Sequence, residues 1–218
     1  SGEHRLEISY AGKVNVAGEG LFAAPYVAAG HKRRMLATDL EPIQARSLFP
    51  AFDEPAFRAV FQLSVRAPKA VDVLSNMPRA SRTADGAFAL HRFAPTPPMP
   101  AYLLSVAVGR FDAIQARAAG VPLRIFTAEG KREQARHAMR ATRQLLPYFS
   151  HSRGVPAARP LLAHLAVPCV RWGAMEDWGL ISYAEDHLLV DPQRSSPATV
   201  RDVYGTIAHE LAHQWFGN

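Results

Sequence analysis

Two imidazoles and a carboxylate stand close together in "HELAHQWFGN", His209 to Asn218. On a helix of about 3.6 residues per turn, His209 and His213 lie one turn apart and project from the same side, so both rings can hold one metal ion. Glu210 follows the first imidazole and is placed to reach a water on that metal, not the metal itself. The ion suited to this donor set is Zn2+, which needs at least one further protein ligand. Paired histidines on a helix also occur as packed or solvated residues, and the spacing alone leaves that structural alternative open.

A helix must carry these groups, and its start is marked by Ser196 as N-cap with Pro197 at the first helical position. It is expected to run to about Phe216 and to stop at Gly217. Val200, Val203, Ile207 and Leu211 share a different face from the histidines, so the helix can bury an apolar stripe and still present the rings to a cleft. A second helix follows from Ala135, Ala138, Met139, Thr142, Leu145, Leu146 and Phe149, three and four apart, with Pro147 bending or ending it late. Before it the period is two: Leu6, Ile8 and Tyr10 in "RLEISY", and Phe61, Leu63 and Val65 in "FQLSVRAP", alternate with polar residues. "VDVLSN", "AFALHRFA" and "AYLLSVAVGRFD" add short strands, punctuated by Asp85-Gly86 and "APTPPMP". "LLAHLAVP" and "HLLVD" are expected as strands in the second half.

The fold class is therefore α+β, with an antiparallel β domain over residues 1–115, its last signal near Asp112, and a mixed domain over 116–218. No apolar run is long enough to span a membrane, and the first residues lack the order of a secretory signal. The net charge of +6 is scattered, and its densest group, "HKRR" at His31 to Arg34, is expected in a turn; no nucleic-acid partner is expected. The single cysteine, Cys169, excludes an internal disulfide and is expected to be a small buried residue.

Three stretches resemble one family. "AHELAHQWFGN" is similar to the zinc helix of the zinc aminopeptidase family of the gluzincin clan. "GAMEDWGLISY", Gly173 to Tyr183, resembles that family's G-A-M-E-N-W-G-L signature, and "TDLEPIQARSLFPAFDEPAFRAVFQLSV", Thr38 to Val65, its N-terminal segment. Matches continue through "LSNMP" and "TPPMPAYLLSVAVGRFD". The resemblance implies a β-sandwich or saddle domain followed by the first part of a thermolysin-like catalytic domain. It also implies Zn2+ on His209 and His213, and Glu210 as general base. Substrate contacts would come from Gly173, Ala174, Met175 and Glu176 on an edge segment and from Glu41, with Asp39 bordering the pocket for the first substrate residue. Glu176 and Glu41 would share the free α-ammonium of a peptide, because two carboxylates repel until a cation lies between them. Asp53 and Glu54 in "FDEP" are expected to be structural.

Two departures stand out: Asp177 where the family has asparagine, and Cys169 where an acidic residue is common. The family's third zinc ligand, a glutamate on the next helix, and its transition-state tyrosine would lie beyond Asn218. The chain is therefore expected to be an internal fragment, weak in zinc binding and turnover by itself, with the rest of the catalytic domain and a C-terminal region elsewhere. The expected function is removal of the N-terminal residue from peptides. The alternatives are an endopeptidase of the thermolysin type, which needs neither Glu41 nor Glu176, and a non-catalytic peptide-binding fragment.

Overall fold

A computed structural model describes residues 2, 4–16, 18–154 and 160–217. The first part is built from β1 (Gly20–Ala28), β2 (His31–Asp39), the short helix α1 (Ala45–Leu48), β3 (Ser64–Pro68), β4 (Asp72–Ser75), β5 (Arg79–Asp85), β6 (Phe88–Phe93) and β7 (Val106–Gly109). These strands make two antiparallel sheets, one ordered β1-β2-β7-β4 and the other β3-β6-β5. In β1 buried and more exposed residues alternate, as a strand with one covered face requires.

The second part contains β8 (Phe111–Ala118), β9 (Val121–Ala128), α2 (Arg136–Arg153), β10 (Leu162–Val167), β11 (Ala174–Met175), β12 (Leu180–Ala184), α3 (Glu185–Leu188) and α4 (Pro197–Ala212). Its five strands are ordered β11-β12-β10-β9-β8, with β9, β10 and β12 parallel and antiparallel strands at both edges. Every residue of β10 and β12 is buried, because both faces of this sheet are covered. On one face α2 and α4 pack through Ala138, Leu145, Leu146, Val203, Ile207 and Leu211. On the other, Ala163, Leu165, Val167 and Leu180 meet Phe22, Ala24 and Met35 of the first part. The two parts thus share a core. β8 straddles residue 115 and pairs with β9 along its whole length.

Several local expectations need correction. Residues 4–14 form no strand, and Leu6, Ile8 and Tyr10 are exposed; alternation makes a strand only where a partner takes up the backbone groups, and none does so among the described residues. His31 to Arg34 open β2, and the turn before them is Ala29-Gly30, both at positive φ. "HLLVD" is not a strand: α3 ends at Leu188, and the buried Leu188 and Leu189 point into the core. Pro147 lies inside α2, which continues to Arg153 and ends on Gly154 in the left-handed conformation. Cys169 is exposed, at a φ of 55°; it borders a groove of about 750 Å³ lined by Lys32, Arg33 and Arg34, and by none of the candidate site residues. Asp53 is buried and accepts from the backbone N–H and Nε of Arg46, a structural contact.

Candidate active site

Helix α4 begins as its sequence dictates, with Ser196 Oγ accepting from Thr199 N–H and Pro197 following. Its regular part ends earlier than expected, at Ala212, and His213 is the C-cap. The chain then turns back in hydrogen-bonded turns to Gly217. Gly217 has φ +92°, and a Cβ there would stand 2.7 Å from His213 Nδ1, so only glycine lets the chain fold over that ring.

The two imidazoles converge, with Nε2 of His209 and Nε2 of His213 3.2 Å apart. Two nitrogens each about 2.0–2.1 Å from one tetrahedral ion are about 3.3–3.4 Å apart, so the pair fits zinc with almost no movement. A second group overlaps this pair at His213 alone: one ligand atom each from Glu176, Glu210 and His213 lie within 4.8 Å of one another. Glu210 is 5% exposed, and its Oε2 has no hydrogen-bond partner among the described residues. A buried acceptor of this kind calls for a cation or a water.

Electrostatics around Glu210 are those of crowded anions. Burial, then the charges of Glu176 and Glu41, push its carboxyl up to about 8, and a divalent cation beside it would reverse that direction. Glu41 is also raised, first by partial burial and then by Glu176, while His213 acts the other way. Glu176 Oε1 lies 3.8 Å from His213 Nδ1. The fold therefore brings Glu41, Glu176, Glu210 and His213 into one electrostatic neighbourhood, although Glu41 and Glu176 are 135 positions apart in the sequence.

Glu176 follows β11, the last strand of its sheet, so the outer side of that strand is open for pairing. Ala174 and Met175 pair inward with Tyr183 and Ser182, and Gly173 O accepts from Ala184 N–H. The Met175 side chain is buried beside Leu40, Met99 and Leu103, which leaves its backbone for any ligand contact. Asp39, at the end of β2, has its carboxyl pushed up to about 6 by burial, against the Glu41 backbone N–H that bonds to it. Asp177 is buried with no cation among the groups acting on it; burial raises it well above the usual carboxylate range, against hydrogen bonds from Ser105 and Ser182.

Other residues near the site have no role assigned from the sequence. Tyr102 is raised by burial and then by the charges of Glu176 and Glu41, which puts its phenol within reach of both carboxylates' fields. Gln214 Nε2 donates to Glu176 O at 3.4 Å. Beneath the site, Tyr183, His164 and Thr142 form a buried chain. Gln214 and Tyr183 lie within the stretches quoted above, but the partners of these polar residues come from the packing, which is not written in a single sequence.

The covered mixed sheet, the convergent histidines and the acidic edge define a metallopeptidase-type scaffold. Residues 1–103 match the Peptidase M1 N-terminal domain and residues 137–218 the Peptidase family M1 domain, and the chain belongs to peptidase family M1. It is 40% identical over 220 residues to aminopeptidase N of Acetobacter pasteurianus, across 100% of this chain and 62% of that protein. It is 38% identical over 218 residues to aminopeptidase M1-A of Oryza sativa subsp. japonica, across 100% of this chain and 25% of that protein. With glutamyl aminopeptidase of Mus musculus it shares 37% over 217 residues, 99% of this chain and 23% of that protein. The chain thus spans between 23% and 62% of the length of these relatives. Among the described residues no helix is long and apolar enough to cross a membrane.

Proposed function

We propose that this chain carries the metal and substrate-amine sites of a zinc-dependent aminopeptidase that removes the N-terminal residue of peptides. One observation supports this reading above the others: the convergent histidine pair and the buried Glu210 share one electrostatic neighbourhood with the carboxylates of Glu41 and Glu176. His209 and His213 would hold the ion. When bound, zinc supplies Lewis acidity at the scissile carbonyl and lowers the pKa of a water toward about 7.

The remaining steps belong to side chains of this protein. Glu176 and Glu41 bind the α-ammonium of the substrate, whose charge relieves the repulsion between them. That contact fixes the chain end, so the first peptide carbonyl is the one presented to the histidine side of the cleft. The open edge of β11, through Gly173 and Ala174, pairs with the substrate backbone. Glu210 accepts the proton of the attacking water at its buried carboxylate and returns it to the leaving amine nitrogen. Asp39 favours a basic first residue; an anion there disfavours an acidic one, although one named relative is a glutamyl aminopeptidase.

Turnover of an unblocked leucyl p-nitroanilide against its N-acetyl form on the full-length, zinc-loaded protein tests the proposal. Selectivity for the free amine, lost in Glu176→Gln, is expected. Equal cleavage of both, or cleavage within blocked peptides, would instead support an endopeptidase.

A further inference from the structure

Asn76 lies just past β4, where the two parts of the protein meet, and is 1% exposed. Its Nδ2 donates to Leu103 O at 2.7 Å and to Trp178 O at 2.8 Å, and its Oδ1 accepts from Ser105 N–H at 2.9 Å. Both amide hydrogens and an oxygen lone pair are thus used on backbone, from segments far apart in sequence. The loop that follows Glu176 also lies against the backbone of Asn76. Gly179 has φ +79°, and a Cβ there would stand 2.2 Å from Asn76 O. Between these contacts, Asp177 is 2% exposed and bonds to Ser105 and to Ser182.

The residues after Glu176 are therefore fastened to the first part of the protein through Asn76 and Ser105. That same part carries Glu41, two residues past the end of β2. From the side of α4, Gln214 Nε2 donates to Glu176 O at 3.4 Å and His213 Nδ1 lies 3.8 Å from Glu176 Oε1. Glu41 and the loop after Glu176 are thus held by the same part of the protein.

We infer that Asn76 is a positioning residue for recognition of the substrate amine, setting the separation of Glu176 from Glu41 by holding Trp178 and Gly179 against the first part of the protein. This rests on the aminopeptidase reading above. A buried amide that served stability alone would, on replacement, lower the folded fraction and leave the ratio of free-amine to blocked-amine binding unchanged. A positioning residue moves that ratio.

The test uses Asn76→Asp, which keeps size and the acceptor but loses both donors, and Gly179→Ala, which pushes the loop from the opposite side; Glu176→Gln is the control. Kinetics with leucyl p-nitroanilide are measured on the full-length, zinc-loaded protein, and NMR titration with L-leucinamide and N-acetyl-L-leucinamide on the metal-free protein. Displacement of a binding group on the scale of an ångström costs one to two orders of magnitude, so KM and the leucinamide Kd are expected to rise roughly tenfold, with kcat and zinc content held within about twofold. If Asn76→Asp does not fold, Gly179→Ala decides the matter alone. Unchanged KM and Kd in the folded variants overturn the inference, as does a fall in kcat without a change in KM. Should Glu176→Gln lose free-amine preference while the other two keep it, only the role of Asn76 falls; should Glu176→Gln change nothing, the aminopeptidase reading itself falls.

Discussion

Acid should destabilise this protein through one residue remote from solvent. His164 is 0% exposed in the middle of β10. Thr142 Oγ1 donates to Ala138 O at 2.9 Å, so at 3.1 Å it accepts from His164 Nε2–H. His164 Nδ1 is then left to accept from the Tyr183 hydroxyl at 3.0 Å. Both ring nitrogens are satisfied in the neutral imidazole, and burial pushes its pKa down from 6.5 to about 3. Because the folded value is the lower one, the unfolded chain takes up the proton first. The stability is fully present above 6.5 and is lost as pH falls toward about 3. Each pH unit in that window costs about 1.4 kcal/mol, so acidification from about pH 6.5 to about pH 4.5 removes roughly 3 kcal/mol. That is a large part of the roughly 5–15 kcal/mol of a typical domain. Asp39 and Glu210, raised to about 6 and about 8, act in the opposite direction, since their folded forms hold protons more tightly. Comparing wild type with His164→Gln cancels them. Urea unfolding at the two pH values should show wild type losing roughly 3 kcal/mol more than the variant. Parallel losses in the two proteins would refute the neutral, buried imidazole.

Four further outcomes are expected. Glu210→Gln should lower kcat of the full-length enzyme by roughly 10²- to 10⁴-fold while zinc content by mass spectrometry stays at the wild-type level. Ser196→Ala removes the side-chain cap of α4 and should cost about 1 kcal/mol in urea unfolding. An arginyl amide should exceed alanyl and leucyl amides in kcat/KM, the advantage growing as pH rises through about 6, where Asp39 becomes charged; no advantage at any pH removes that role. Cys169 should react fully with a thiol reagent in the native protein, since it is exposed; protection until unfolding would contradict its placement.

The candidate metal motif is local in sequence, and local patterns can be read. The spacing of His209, Glu210 and His213 required a helix, Ser196 and Pro197 located its start, and the structure has both. The buried run of β10 and the amphipathic α2 likewise follow from side-chain pattern alone. The same reasoning placed a strand over residues 4–14 and another at "HLLVD", where alternation or apolar content was present and a hydrogen-bonding neighbour was not. It also put Cys169 inside the protein, because composition cannot register which side of a turn faces water.

What the sequence by itself determined is the helix that carries His209 and Glu210 and ends at His213. Tertiary structure alone decided how the anions meet. Glu41 and Glu176 become neighbours only because β2 and β11 end at the same junction between the two parts, beside a core that includes Leu40, Met99 and Met175. Asn76, Ser105 and Asp177 acquire their partners there, and Glu210 its raised proton affinity. The physical reason is that burial and Coulomb interaction depend on distances through space, which a chain acquires only when its sheets and helices have packed.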